Sequence, residues 1–266
     1  MLAVNRIDRI RVKIERASEH QRQLEAEIRA FLGASPYRVA TKTHSASKRL
    51  IYYVGSIQQT PVRISSIAGD VLQNLRSALD HLAFELFMVG TRGTAGDGKH
   101  VSFPIFDDAK KYSAYAPKKV RGIEPRAIAA IDSTKPYRGG NDVLWQLHRL
   151  NNIDKHRFLI TVGSAFQSLD LGAHMQRMMY ELNPGLANVQ VPPLFVRPAD
   201  RMFPLKVGDE LFLDAPDAKP NAKMQFRFEV AFGEKGVIEG DPLVETLQKT
   251  IDVVGDLVVS FAHLLQ

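Results

Sequence analysis

Residues 5–32 carry Ile7, Ile10, Ile14, Ala17, Gln21, Leu24, Ile28 and Phe31 at alternating steps of three and four. That spacing predicts one long helix with a single apolar seam, because positions three and four apart share one face of an α-helix. Such a seam has to be covered, so it constrains the rest of the chain to supply a partner. Residues 63–89 do so. At about 100° per residue, Val71, Leu75, Ala78, Leu79, Leu82, Leu86 and Val89 form a second broad apolar face. Gly33 and Pro36 end the first helix. Between the two helices, "YRVATKT" and "RLIYYVGSI" flank "HSAS" and predict a β-hairpin.

Further along, shorter helices are expected near 107–115 and 124–132, and a longer one over about 141–160. "KMQFRFEVAF" alternates, with Met224, Phe226, Phe228, Val230 and Phe232 on one side, and predicts a half-buried strand. An amphipathic helix from about residue 241 closes the chain. Together these elements predict an α+β fold: a helical bundle core, a β-hairpin near the N-terminus, and a small β-rich element before the C-terminal helix. One domain over 1–266 is expected, with the helical core at about 1–32, 63–160 and 241–266 and the β-rich portion at about 165–235.

Composition narrows the chemistry. The chain has no cysteine, which removes disulfides, thiolate metal sites and cysteine nucleophiles. No run approaches the roughly eighteen apolar residues that span a bilayer, and "MLAVNRIDRIRVKIER" has charges where a secretory signal needs an apolar core. The expected setting is the cytoplasm, without a membrane. Net charge is +6. Lys118, Lys119 and Arg121 lie in a basic stretch interleaved with Tyr112 and Tyr115. Cations that neutralise phosphates beside aromatics that stack on bases suit a polyanion such as RNA. Gly93, Gly98 and Lys99 match the spacing of a phosphate-binding loop, but His100 replaces its hydroxyl residue and a helix precedes it. That segment reads as a connector.

The densest polar chemistry is in "LHRLNNIDKHRFLI", residues 147–160. On a helical wheel, Asn151 and Asp154 fall among Val143, Leu144, Leu147 and Leu150, on the core side. A buried carboxylate needs a partner, and Arg76, His81 or Arg157 is expected to supply it. Trp145, Arg149, Asn152 and His156 share the other face. A histidine near neutral pKa moves protons, and a guanidinium beside it holds a phosphate. On the earlier helix, Arg76 and Asp80 are spaced for an ion pair, and His81 is expected to hydrogen-bond Glu85.

"RSALDH", Arg76 to His81, and "RLNNIDKH", Arg149 to His156, resemble the R-x4-H and R-x6-H patterns of the HEPN superfamily. The resemblance implies a helical bundle and metal-independent cleavage of RNA. It also implies Arg and His pairs meeting across a homodimer, and an antitoxin or regulatory partner. His156 would then be general base or acid, Arg149 the phosphate contact and Asn152 an orienting group, with Arg76 and His81 as the alternative pair. Trp145, Lys118, Lys119 and Arg121 would contribute to binding, and no cofactor is implied. Serine after Arg76, leucine after Arg149 and the β-rich portion depart from the family pattern. Two other readings use the same residues. Asp80, Asn151 and Asp154 would be structural in a non-catalytic helical binding or regulatory module, its "DKHR" cluster locking two helices in register. Alternatively, Asp80, His81, Asp154 and His156 would hold a metal ion in a hydrolase, although Asp154 and His156 point about 160° apart on an ideal helix.

Overall fold

The computed structural model describes residues 6–94, 96, 98–166, 169–170, 175, 179–180, 183, 185, 195–196, 203–220 and 226–266. Helices and antiparallel strands are mixed along the chain, as an α+β fold requires. The helices are α1 (Arg6–Gly33), α2 (Val62–Gly90), α3 (Ala109–Lys119), α4 (Pro125–Ser133), α5 (Asp142–Asp154) and α6 (Leu243–Ser260). The strands are β1 (Tyr37–Thr43), β2 (Arg49–Ile57), β3 (Thr161–Phe166), β4 (Leu169–Asp170), β5 (Phe195–Val196), β6 (Glu210–Pro216), β7 (Arg227–Glu234) and β8 (Ile238–Pro242). No helix among the described residues is long and apolar enough to cross a membrane.

The chain divides into two compact units inside the span read from sequence as one domain. A helical unit comprises the chain up to Glu27, Val62–Leu159 and everything from Leu243. A β unit comprises Ile28–Pro61 and Ile160–Pro242.

In the helical unit, α1 and α2 run antiparallel. Arg6 Nη1 donates to Glu85 Oε2 at 2.6 Å near one end, and Arg63 Nε meets Glu27 Oε1 at 2.7 Å near the other. The seam residues Ile7, Ile10, Ala17 and Leu24 are buried, as is Gln21, the polar interruption among them. Gln21 Nε2 donates to Val244 O at 2.9 Å and so ties α1 to the first turn of α6. The apolar face of α2, from Val71 to Leu86, is sealed: Leu75, Ala78, Leu79 and Leu82 have no exposed surface. It packs against α5 and α6, which also touch each other. Two short helices complete the unit. Asp108 caps α3 through Lys111 N, Pro125 opens α4, and the Tyr112 hydroxyl joins the two by donating to Asp132 Oδ1 at 2.6 Å. Asn141 caps α5, accepting from Leu144 N.

The helix expected to continue to residue 160 stops at Asp154. Residues 155–160 contain neither Gly nor Pro, so nothing local ends it. The reason lies in the next unit: Ile160 is bonded on both sides, its N–H to Glu234 Oε1 at 2.7 Å and its carbonyl to Gly233 N at 2.8 Å. Those bonds commit it to extended backbone.

The β unit holds two three-stranded sheets, ordered β1-β2-β6 and β3-β7-β8, with β4 and β5 paired separately. The strand predicted to be half-buried is the central strand of its sheet. Val230, Ala231 and Phe232 are consecutive and all buried, so both faces of β7 are covered there rather than one. Met224 and much of the β-rich portion expected at 165–235 lie outside the described residues. A hollow of about 630 Å³ in this unit is walled by Tyr37, Tyr52, Phe226 and Phe228, with Arg227 the one charged lining residue among the described residues.

Candidate functional site

The ionisable side chains converge on a smaller cleft in the helical unit, of about 390 Å³. Three segments build it. From α2 come Arg76 and Asp80, from the stretch before and through α3 come Ser102–Asp107 and Lys119, and α5 with its cap supplies His148, Arg149, Asn152 and Lys155.

The floor is a clamp. Arg76 Nη2 donates to Asp80 Oδ1 at 2.7 Å, the i,i+4 pair its spacing allows, and to Phe103 O at 2.8 Å. Asp80 Oδ1 in turn accepts from Phe103 N at 3.0 Å. One guanidinium and one carboxylate therefore grip both polar groups of one peptide residue, which pins "SFPIF" onto α2. Arg76 is buried, and burial lowers its pKa while Asp80 raises it. Its Nη1 remains buried without a hydrogen-bond partner.

One wall belongs to α5. His148 Nε2 lies 3.1 Å from Asn152 Nδ2, one turn on, while His148 Nδ1 is buried without a partner. The amide donates to Nε2, which leaves the hydrogen of the neutral ring on Nδ1. Burial first, then the positive charges of Arg76, Lys155 and Arg149, push the pKa of His148 down to about 4, with Asp107 opposing them. The imidazole is therefore neutral at pH 7. At the mouth, Asp107 accepts from Lys111 Nζ at 2.7 Å and lies 3.8 Å from Arg149 Nη1. The Lys111 hydrogen bond holds its carboxyl below the usual carboxylate range, with smaller help from Arg149 and Trp145 against the effect of burial.

Of the residues expected at the site, Arg76, Arg149, Asn152, Asp80 and Lys119 line this cleft and His81 and His156 do not. His81 is exposed on α2. Its expected partner Glu85 instead faces Arg6 and Arg9, at 2.6 and 3.6 Å. His156 follows the end of α5 and is exposed, so the face it was expected to share with Arg149 does not extend to it. Trp145 is buried, and Arg138 already covers its ring at 4.9 Å, leaving no open face for a base to stack on. Lys118 and Arg121 are exposed outside the cleft.

The core-side residues behave differently from each other. Asn151 is buried, with neither amide atom hydrogen-bonded. Asp154 packs over Gly69, where any Cβ would overlap its carboxylate. Of its expected partners, Arg76 is engaged elsewhere. Burial, reinforced by the nearby Asp70, raises the pKa of Asp154 instead. Among the described residues, no group of three or more His, Cys, Asp or Glu is placed to hold a metal ion.

Sequence reasoning missed His148. The wheel put it within 60° of Trp145 and 40° of Asn152 (at 100° per residue), so it was available on the same face. The R-x6-H spacing drew the choice to His156. Comparison with protein-family models, curated proteins and solved structures finds no match to this chain.

Proposed function

We propose that the helical unit binds RNA, with the cleft between α2, α3 and α5 contacting phosphate. The observation that carries this reading is Arg76: a guanidinium held rigidly in the cleft, with Nη1 buried and unpartnered, beside Arg149, Lys119 and Lys155. A pre-organised guanidinium donor suits a phosphate oxygen because charge-assisted hydrogen bonds are the stronger kind. The basic stretch through Lys118, Lys119 and Arg121 extends the positive surface from the end of α3. RNA is preferred over other polyanions on the HEPN resemblance of the sequence, of whose residues Arg76 and Arg149 line the cleft and His81 and His156 do not.

Binding is preferred over cleavage on the state of the one histidine in the cleft. A general base needs a free lone pair, and the lone pair of His148 Nε2 is occupied by Asn152. The second reading, metal-independent cleavage, is favoured by the juxtaposition of His148 with Arg76 and Arg149, and would require Asn152 to release the ring. A homodimer and an antitoxin-type partner rest on the HEPN resemblance alone and form no part of the proposal.

One set of reactions tests both. Fluorescence polarisation with short labelled RNA should show binding that weakens with salt. Three phosphate contacts give a slope of log K against log salt of about −2. Arg149→Ala should weaken binding by about tenfold, the scale of one charge-assisted hydrogen bond. Absence of binding at low salt would sink the proposal. In parallel, total RNA with EDTA should remain intact with wild-type protein and with His148→Ala, His81→Ala and His156→Ala. Cleavage by wild type that disappears in His148→Ala alone would replace the binding reading with the catalytic one.

A further inference from the structure

The donors and charges of the cleft specify more than contact with a phosphate of any kind. Two residues that line the cleft each carry a buried polar atom without a protein partner, Arg76 Nη1 and His148 Nδ1. Both are donors, the second because Asn152 occupies Nε2. Buried donors are costly to leave unmade, so a pair of them in one cleft calls for an occupant that accepts hydrogen bonds. The surrounding charge sets the sign and size of that occupant. Arg76, Lys119, Arg149 and Lys155 face Asp80 and Asp107 across the cleft, an excess of two positive charges while the imidazole is neutral.

A phosphate within a nucleic-acid strand carries one negative charge and two non-bridging oxygens. A phosphomonoester carries about −1.5 to −2 at pH 7 and three acceptor oxygens. The second fits the cleft better. Two oxygens would accept from Arg76 Nη1 and His148 Nδ1, and the third would face Arg149 and Lys155 at the exposed mouth. The volume agrees: about 390 Å³ lies near the lower end of small-ligand sites, roughly 300–1,000 Å³. That is room for a terminal nucleotide rather than for a run of strand.

We infer that the cleft seats a phosphomonoester dianion, the terminal phosphate of an RNA strand, in preference to a phosphodiester within it. This rests on the RNA-binding reading above. Arg76 is then a binding residue as well as the clamp on Phe103, and Asn152 is a positioning residue that fixes which nitrogen of His148 donates.

The test is competition binding with one oligoribonucleotide in three forms: without end phosphates, with a 5′-phosphate and with a 3′-phosphate. Inorganic phosphate and a nucleoside monophosphate are run beside them. At least one phosphorylated end should bind about tenfold tighter than the unphosphorylated strand, one charge-assisted contact more. Arg149→Ala and Lys155→Ala, at exposed positions, should shrink that ratio toward one with unchanged melting temperature. His148→Ala should do the same, and Arg76→Lys repeats the test at the floor while keeping a charge. Equal affinity for all three strands, weakened alike by Arg149→Ala, would overturn the end-specific seat and leave RNA binding standing. Binding of inorganic phosphate or mononucleotide with no binding of any strand would overturn the RNA reading and show a seat for free phosphate compounds. A phosphorylated-end preference that survives every cleft substitution would place the seat elsewhere and overturn the inference.

Discussion

Two ionisable groups on α5 have their pKa displaced, in opposite senses, and each makes a separate claim on stability. His148 has its pKa depressed to about 4 by burial and by the cations around it. The unfolded chain takes up this proton near pH 6.5 and the folded chain does not. Stability is therefore lost as pH falls from about 6.5 toward 4, by roughly 3 kcal/mol across that window. Denaturant midpoints at pH 7 and pH 4.5 should differ more for wild type than for His148→Gln, and an equal fall in both would show that His148 is not the group responsible. Asp154 has its pKa raised, by burial first and Asp70 second. Its contribution is present below the ordinary carboxylate value and disappears as pH rises through the folded one, so at neutral pH the buried carboxyl works against the fold. Asp154→Asn should raise the denaturant midpoint at pH 7 and lose that advantage near pH 3.5. A lower midpoint at pH 7 would mean that the charge has a partner the raised pKa does not reveal.

Between elements, the α2–α5 contact depends on the absence of a side chain. Gly69 sits under the Asp154 carboxylate, and a Cβ there would overlap it. In an exposed helix interior, Gly→Ala gains about 0.5–1 kcal/mol. Here it should instead destabilise by about 1–3 kcal/mol, as overpacked sites do. In an Asp154→Ala background the obstacle is gone, and the same Gly69→Ala change should become stabilising. A double-mutant cycle by chemical denaturation reads the reversal directly, and additive effects would show that the carboxylate simply swings away. This contact also marks how far sequence could reach. The α2 face was legible because seven apolar positions repeat with helical period, and the core-side places of Asn151 and Asp154 were legible from the same geometry. The end of α5 was not. The pattern through Phe158 and Leu159 continues to look helical, and the chain turns because Ile160 is bonded to Glu234 and Gly233, more than seventy residues away in sequence. Placing His156 on the face of Arg149 follows from that one non-local stop.

At the scale of the whole molecule, the helical unit is discontinuous, with its three segments separated in sequence by the two segments of the β unit. The periodicities of α1, α2 and the C-terminal helix each announced a need for cover, but no pattern states that Ile28–Pro61 belongs with strands more than a hundred residues later. That assignment is made by pairing: β2 meets β6, with Ile51 opposite Leu213 and Tyr52 opposite Phe212. The same discontinuity means that the helical unit is completed only by its last segment. In α6, Leu243, Leu247, Val254 and Val258 have no exposed surface, and the helix packs on both α2 and α5. A chain ending at Pro242 would leave those two helices with an uncovered apolar face, and Gln21 without the Val244 carbonyl that accepts its amide. Partly packed helices of this kind keep far-ultraviolet dichroism while losing fixed side-chain environments. The single tryptophan, Trp145, is a built-in reporter because it is buried in this unit. Truncation after Pro242 should shift its emission to longer wavelength, broaden the thermal transition and abolish RNA binding at the cleft, whose α5 wall would no longer be held. Emission and a cooperative melt that match the full chain would show that α2 and α5 hold their arrangement without α6. In that case the cleft would not depend on the C-terminal segment from Leu243.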